Sequence, residues 1–301
     1  MDAHEEGRDR NADDRHGEAN GAHHARHAVL AGEGDEQASI FRSASADRQI
    51  IESYERDGFV KIKGVFRADE LAYYRERISS EVVRRNTNIA PIEERDTYHK
   101  AFLQITNLWR TSEVARQFVF EKRLADIAAM LMGARRVRLY HDQALYKEPG
   151  GGITPWHADQ FYWPLSSDKT ITAWVPLQAT PLEMGPLAFA AGSHRMNFGR
   201  DLEISDESER SLRKALESGR FREVNEPFEV GEVSFHSGWT FHHTGANTSD
   251  RARAVMTVIY MADGIRLIEP RRKQHVLDWE AFMPGVQPGE VVDSPLNPVL
   301  N

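Results

Sequence analysis

From Val137 onward the chain reads as a succession of short β-type runs, and this pattern narrows its fold more than any other feature. The runs are 137–147, 154–160, 171–178, 186–190, 221–224, 232–236 and 254–261. Glu-Pro-Gly-Gly-Gly at 148–152, Met-Gly-Pro at 184–186 and Ser-Gly-Trp at 237–239 supply turns between them. What precedes is helical in period. Ile50, Ile51 and Tyr54 space a helix over 46–57, and Leu71, Tyr74, Ile78 and Val82 another over 69–85. A third is predicted over 121–131, and a strand over 58–63. Helices first and antiparallel strands after is an α+β order. A double-stranded β-helix core (jelly roll, cupin-like) with flanking N-terminal helices fits it.

Composition removes several alternatives. The chain has no cysteine, which excludes disulfides, thiolate metal sites and cysteine nucleophiles. No apolar stretch is long enough to span a bilayer; the longest candidate, Leu124–Met132, carries Asp126 and suits an amphipathic helix. With no secretory signal visible, a cytoplasmic location is expected. Met1–Glu36 holds ten acidic residues against four arginines and has little to bury, so a disordered acidic tail is predicted over 1–44 and one domain over 45–301. The tail carries −6 of the formal net charge of −8. The remainder is near neutral, which argues against a nucleic-acid face. The tail histidines His4, His16, His23, His24 and His27 read as solvated. A charged segment at 197–226 contains Leu212 and Leu216 four apart on a polar helix, read as an insertion that is either a lid over the site or a solvated helix.

The chemistry concentrates in Thr154-Pro-Trp-His-Ala-Asp-Gln160. His157 and Asp159 are separated by one residue, and on a strand positions i and i+2 share a face. With one more histidine from a distant strand they would form a 2-His-1-carboxylate triad, the ligand set of non-haem Fe(II) oxygenases. Alone, His-x-Asp is a weak signal, more often a chance or surface pair than a metal site. A second segment, Phe241-His-His-Thr-Gly-Ala-Asn-Thr-Ser-Asp-Arg-Ala-Arg253, supplies histidines before a polar turn. It also places an arginine at the head of an apolar strand. Burying that arginine is costly unless it meets an anion, and its planar fork suits a carboxylate.

Taken together, these stretches resemble the phytanoyl-CoA dioxygenase-like family of Fe(II)/2-oxoglutarate oxygenases, in its bacterial branch. Leu139–Gly150, Pro155–Pro164, Thr172–Leu177, Met184–His194 and His242–Arg253 occur in the family's order, within roughly residues 46–270. The resemblance implies the jelly-roll fold, with Fe(II), 2-oxoglutarate and O₂ as cofactor and cosubstrates. It implies His157 and Asp159 as proximal ligands. The family's distal histidine stands eleven residues before its 2-oxoglutarate arginine, which selects His242 rather than His243 against Arg253. Arg253 is implied to pair with the distal carboxylate of 2-oxoglutarate and Thr244 to assist it. Trp174 is implied as a pocket aromatic or a core residue, and Lys147 and Gln143 as polar pocket residues. His194 reads as a turn residue. Related halogenases replace the motif carboxylate with Ala or Gly; Asp159 is kept, which favours hydroxylation or another two-electron oxidation.

Phe161, Tyr162, Trp163, Trp239 and Phe241 flank the ligands and predict an aromatic-lined mouth for a small organic metabolite, such as a natural-product intermediate. No basic cluster suits a CoA pyrophosphate. A small-molecule substrate and a monomer or homodimer are expected, without nucleic acid or membrane. The alternative is a jelly-roll metalloprotein using the same site with Zn²⁺ or Mn²⁺ for non-oxidative chemistry or binding. Arg253 and Thr244 speak against it, since a 2-oxoglutarate anchor has no purpose there.

Overall fold

The computed structural model describes residues 44–87, 90–95 and 97–301. The expected disordered tail lies outside the described residues, apart from Ala44 at its end. The chain then runs α1 (Ala44–Asp57), β1 (Phe59–Ile62), α2 (Ala68–Arg85), α3 (Thr97–Ala101), β2 (Leu103–Thr106), α4 (Glu113–Val119) and α5 (Lys122–Met132). There follow β3 (Val137–Lys147), β4 (Thr154–His157), β5 (Thr170–Pro176), β6 (Leu187–Ala190), α6 (Asp206–Ser218) and β7 (Glu223–Val224). Last come β8 (Val233–Ser237), β9 (His242–Thr244), β10 (Arg253–Ala262) and α7 (Lys273–Phe282). Among the described residues no helix is long and apolar enough to cross a membrane.

The strands form two antiparallel sheets, β1-β8-β5-β10-β3-β2 and β4-β9-β6-β7. From β3 the strands alternate between the sheets, except that β6 and β7 are antiparallel neighbours in the second, and this is the jelly-roll winding. Strand parity then assigns each side chain a layer. Ala254, Met256, Val258 and Tyr260 of β10 join the core formed with Leu71, Tyr74, Ile78 and Val82 of α2 and the apolar face of α5. Those four positions of α2 are the ones its helical spacing predicts. The alternate residues Arg253, Val255, Thr257 and Ile259 face the interior between the sheets, where Val255 packs with Trp174, Leu187, Phe189 and Phe228. The helix α5 ends on Gly133 in the left-handed region (φ 58°), a conformation that favours glycine.

Two predicted elements need correction. The run 154–160 is strand only to His157; Ala158 is still extended, and Asp159–Phe161 forms a 3-10 turn. The amide of Gln160 bonds to Gly238 O (2.9 Å) and that of Tyr162 to Asp159 O (3.0 Å), which takes the backbone off the ladder. The segment 197–226 is also not a free helix. In α6, Leu212 and Leu216 are buried with Trp156, Ala158, Ala190 and Phe241. The carboxylate of Glu209 accepts the backbone N–H of Trp156 (2.6 Å), fastening α6 to β4.

Candidate active site

His157 and His242 are cross-strand partners between β4 and β9, with ring centroids 4.1 Å apart. Between Thr154 and His157 the register shifts, with three steps on β4 against two on β9. Pro155, which has no N–H to give the ladder, lies in that irregularity. Each histidine is oriented by its own strand: His157 Nδ1 donates to Pro155 O (2.8 Å) and His242 Nδ1 to Thr240 O (2.9 Å). Both Nε2 atoms are thereby left as acceptors. They stand 3.7 and 3.6 Å from Asp159 Oδ1, and one ligand atom from each of the three residues lies within 4.8 Å of the others. Cis ligands at about 2.1 Å from one ion are roughly 3 Å apart, so a small contraction suffices to close on a metal. Burial pulls both imidazoles below their ordinary pKa, so they are neutral donors. Burial works to raise the Asp159 carboxyl, but His242, His236 and His157 together hold it well below the usual carboxylate range. Two neutral imidazoles and one carboxylate suit a divalent cation of the first transition row.

The other oxygen of Asp159 is occupied. Thr172 Oγ1 donates to Oδ2 (2.9 Å), and His236 Nε2 lies 3.2 Å from the same atom. Since the carboxylate only accepts, the proton of that contact resides on His236 Nε2. Thr172 and His236 are register partners on β5 and β8. They restrict Asp159 to presenting one oxygen inward, and supports of this kind orient metal ligands.

Arg253 begins β10 opposite Lys147 and is fully buried. Its guanidinium donates through one terminal nitrogen to Gly185 O, while Nε has no partner. The ring of Trp174 lies 5.4 Å below it. Burial alone brings the Arg253 pKa down to about 9. A charged fork with an unsatisfied buried donor, and no carboxylate among its described partners, is a cradle for an incoming anion. Gly185, which accepts from Arg253, packs closely on Gly245: at φ +63° a Cβ there would stand 2.2 Å from Gly245 O. The hydroxyl of Thr244 donates to Thr154 (2.9 Å) and accepts from Lys147 (2.8 Å).

One cavity of about 600 Å³ takes in His157, Asp159, His242, Arg253, Thr244, Trp174 and Gln143. Lys147 does not line it. Its ammonium is spent on Thr244, Gly245 O and Gly152 O, and burial, with the charge of Arg253, lowers its pKa to about 6. Of the predicted mouth aromatics Tyr162 and Trp163 line the cavity, whereas Phe161, Trp239 and Phe241 do not. Phe241 packs under α6, Phe161 meets Arg272 at 4.2 Å, and Trp239 carries Arg200 at 4.6 Å. His243 turns away from the triad to Glu223 (3.0 Å) and lies tilted against the Trp156 ring, centroids 4.1 Å apart. His194 lies in a 3-10 turn outside the cavity. Only Glu203 and Ile204 of the 197–226 segment reach the wall. Sequence reasoning missed His236, His141 and the cavity face of α7, namely Gln274, Leu277, Asp278, Ala281 and Phe282. A signal for His236 existed: Ser234 and His236 put polar side chains on one face of an otherwise apolar strand.

A jelly roll with a His/Asp/His cluster beside a buried, unpaired arginine defines a class, and comparison with known proteins gives the family. Residues 54–255 match the family model of phytanoyl-CoA dioxygenase, and the chain belongs to that family. It is an Fe(II)/2-oxoglutarate-dependent dioxygenase by class. It is 27% identical over 267 residues to an ectoine dioxygenase of Bordetella parapertussis, covering 79% of this chain and 83% of that protein. Among solved structures, the non-heme alpha-ketoglutarate-dependent carbocyclase SnoK from nogalamycin biosynthesis is 26% identical with a TM-score of 0.69, over 84% of this chain and 96% of that one. The epimerase SnoN, solved with Fe3+, alpha-ketoglutarate and nogalamycin RO, is 25% identical with a TM-score of 0.69, over 85% and 99%.

Proposed function

We propose that His157, Asp159 and His242 hold Fe(II) in this chain, that Arg253, Thr244 and Trp174 receive 2-oxoglutarate, and that the remaining cavity takes a small natural-product intermediate or similar metabolite. The reaction is hydroxylation or another two-electron oxidation of a C–H bond. The observation that carries this reading is a single cavity containing both the three convergent ligand atoms and the buried Arg253 with its unsatisfied Nε. A non-oxidative metal site has no use for that arginine.

Bound together, iron, 2-oxoglutarate and O₂ supply the oxidising power, with the keto acid ending as succinate and CO₂. The protein's part is positional. Pro155 O and Thr240 O keep the two imidazoles with Nε2 inward, and Thr172 with His236 leaves Asp159 only Oδ1 to offer. Arg253 orients the distal carboxylate of the cosubstrate, and Lys147 holds the Thr244 hydroxyl in place for it. Trp174 and Leu187 keep water from that contact. Tyr162, Trp163 and Phe282 offer apolar surface to an organic substrate. Arg253 is the only Lys or Arg among the described lining residues, which speaks against a CoA pyrophosphate and for a smaller molecule. The roles of SnoK and SnoN in nogalamycin biosynthesis support a natural-product substrate.

The test is anaerobic titration of the full chain with Fe(II) and 2-oxoglutarate, watching for the weak visible charge-transfer band of the chelate. Wild type and His243→Ala should develop the band, and His242→Ala should bind neither metal nor cosubstrate at the same concentrations. Loss of the band in His243→Ala with its retention in His242→Ala sinks the ligand assignment, and no band in wild type sinks the iron reading.

A further inference from the structure

The wall of the cavity supplied by β3 and α7 contains a feature that the metal and 2-oxoglutarate do not use. Between β3 and β10 the register slips, with Ile259 opposite His141 and Tyr260 opposite Leu139, so that Tyr140 is an extra residue. In a regular strand Tyr140 and His141 would point to opposite faces; the bulge brings both to one side. His141 stacks on Phe282 of α7 with centroids 4.0 Å apart and lines the cavity. Tyr140, fully buried, lies 5.8 Å from the same ring and donates its hydroxyl to Asp278 Oδ2 (2.9 Å).

Asp278 lines the cavity, and no lysine, arginine or histidine among the described residues pairs with it. Glu203, the other carboxyl of the cavity wall outside the triad, likewise has no cationic partner among the described residues. Among the described residues the only fixed cation of the wall is Arg253, which the cosubstrate claims. Burial holds His141 neutral by drawing its pKa down to about 4, so it offers Asp278 no positive charge. Burial also lifts the Asp278 carboxyl to about 7, against the Tyr140 hydrogen bond and with the help of the Asp159 charge. A carboxylate kept in such a place is costly unless a cation arrives. A chain that places a buried tyrosine, by means of a bulge, to grip one oxygen leaves the other free toward the cavity.

We infer that Asp278, held by Tyr140, is the substrate anchor of this enzyme and that it binds a protonated amine on the substrate. This deepens, and rests on, the small-metabolite reading above. Asp278 binds the ammonium group, and the aromatic wall of Tyr162, Trp163 and Phe282 takes the apolar body. The anchor discriminates against anionic substrates, because an added carboxylate would meet Asp278 and Glu203 without a counter-ion.

The experiment uses the full chain, loaded with Fe(II) and 2-oxoglutarate under nitrogen, and three matched probes: 2-phenylethylammonium, 2-phenylethanol and phenylacetate. Dissociation constants are read by ligand-observed NMR. The ammonium probe should bind about tenfold more tightly than the alcohol, as a charge-assisted contact implies, and phenylacetate weakest. Asp278→Asn keeps the acceptor for Tyr140 but removes the charge; it should erase the preference while leaving 2-phenylethanol within about twofold of wild type. Tyr140→Phe removes the hydrogen bond that favours the ionised Asp278 and should weaken the preference, with 2-phenylethanol binding unchanged. Equal binding of the three probes, tightest binding of phenylacetate, or no binding of the ammonium probe overturns the anchor. An equal loss of all probes in Asp278→Asn also overturns it, since that marks a residue that merely fixes α7. The charge-transfer band is recorded in the same samples: an intact band without ammonium preference removes the anchor alone, and a preference without the band removes the metal reading alone.

Discussion

Arg253→Met is expected to weaken 2-oxoglutarate binding and, in the same protein, to leave the unliganded fold as stable as wild type or more so. Both halves follow from the burial of the guanidinium, whose Nε has no partner and whose described hydrogen bond goes only to Gly185 O. In the unliganded chain Arg253 is a buried charge without a counter-ion. Replacing such a group by an apolar side chain of similar length is neutral or stabilising, less about 1 kcal/mol for the carbonyl of Gly185 left without its donor. With the keto acid bound, the same substitution strands a carboxylate in a dry site, at a cost of about 2–5 kcal/mol. At about 1.4 kcal/mol per decade the lower bound is roughly a thirtyfold rise in the dissociation constant. Arg253→Lys recovers part of this, since a point charge does not reproduce the fork. Arg251 is the control: its side chain is 71% exposed and meets only the exposed Asp250, so Arg251→Met should change neither quantity. The assays are anaerobic 2-oxoglutarate titration and thermal unfolding with and without the cosubstrate. A destabilised unliganded Arg253→Met with unchanged affinity would show that the arginine is a strut for the Gly185 turn and refute the argument.

Two further outcomes are expected. His236→Leu removes one of the two donors to Asp159 Oδ2 and should weaken Fe(II) binding about 10–100-fold with the fold intact; Thr172→Val should act in the same direction. Metal titration with circular dichroism on the same samples checks this, and unchanged affinity in the double variant would remove the positioning role. Leu212→Ala should cost about 2–5 kcal/mol of stability in denaturant unfolding, because Leu212 is fully buried with Trp156 and Phe241, the neighbours of His157 and His242. A lid would give the opposite result, with stability unchanged and substrate affinity altered.

The convergence of the candidate ligands was partly readable because strand parity and short spacing write it locally. His157 and Asp159 lie two apart; the family resemblance, through its spacing to Arg253, implies His242, whose register opposite His157 brings the two rings together. Yet parity also misled. It extended β4 through Asp159, where the chain turns, and a polar residue near the cosubstrate pocket gave no warning that the ammonium of Lys147 would be consumed by Thr244, Gly245 and Gly152. Hydrogen bonds across 97 residues decide that, and no local pattern carries them. The surface that α6 covers was hidden for a related reason: Leu212 and Leu216 announce an amphipathic helix but not what it packs against.

The substrate wall was the least legible part, and its physical origin explains why. Tyr140 reaches Asp278 across 138 residues, through a bulge that no turn residue announces and a helix whose contacts depend on how it docks. The spacing of Leu277, Ala281 and Phe282 is helical, but periodicity cannot name the sheet that receives it. His157, His242 and Arg253 stand on strands of the two sheets, whose register the hydrophobic pattern fixes, and Asp159 follows in the turn that ends β4. Asp278 stands on an appended helix, free to differ while the sheets stay the same. Family membership therefore gives the class of chemistry, and the choice of substrate is proposed to lie with the α7 wall.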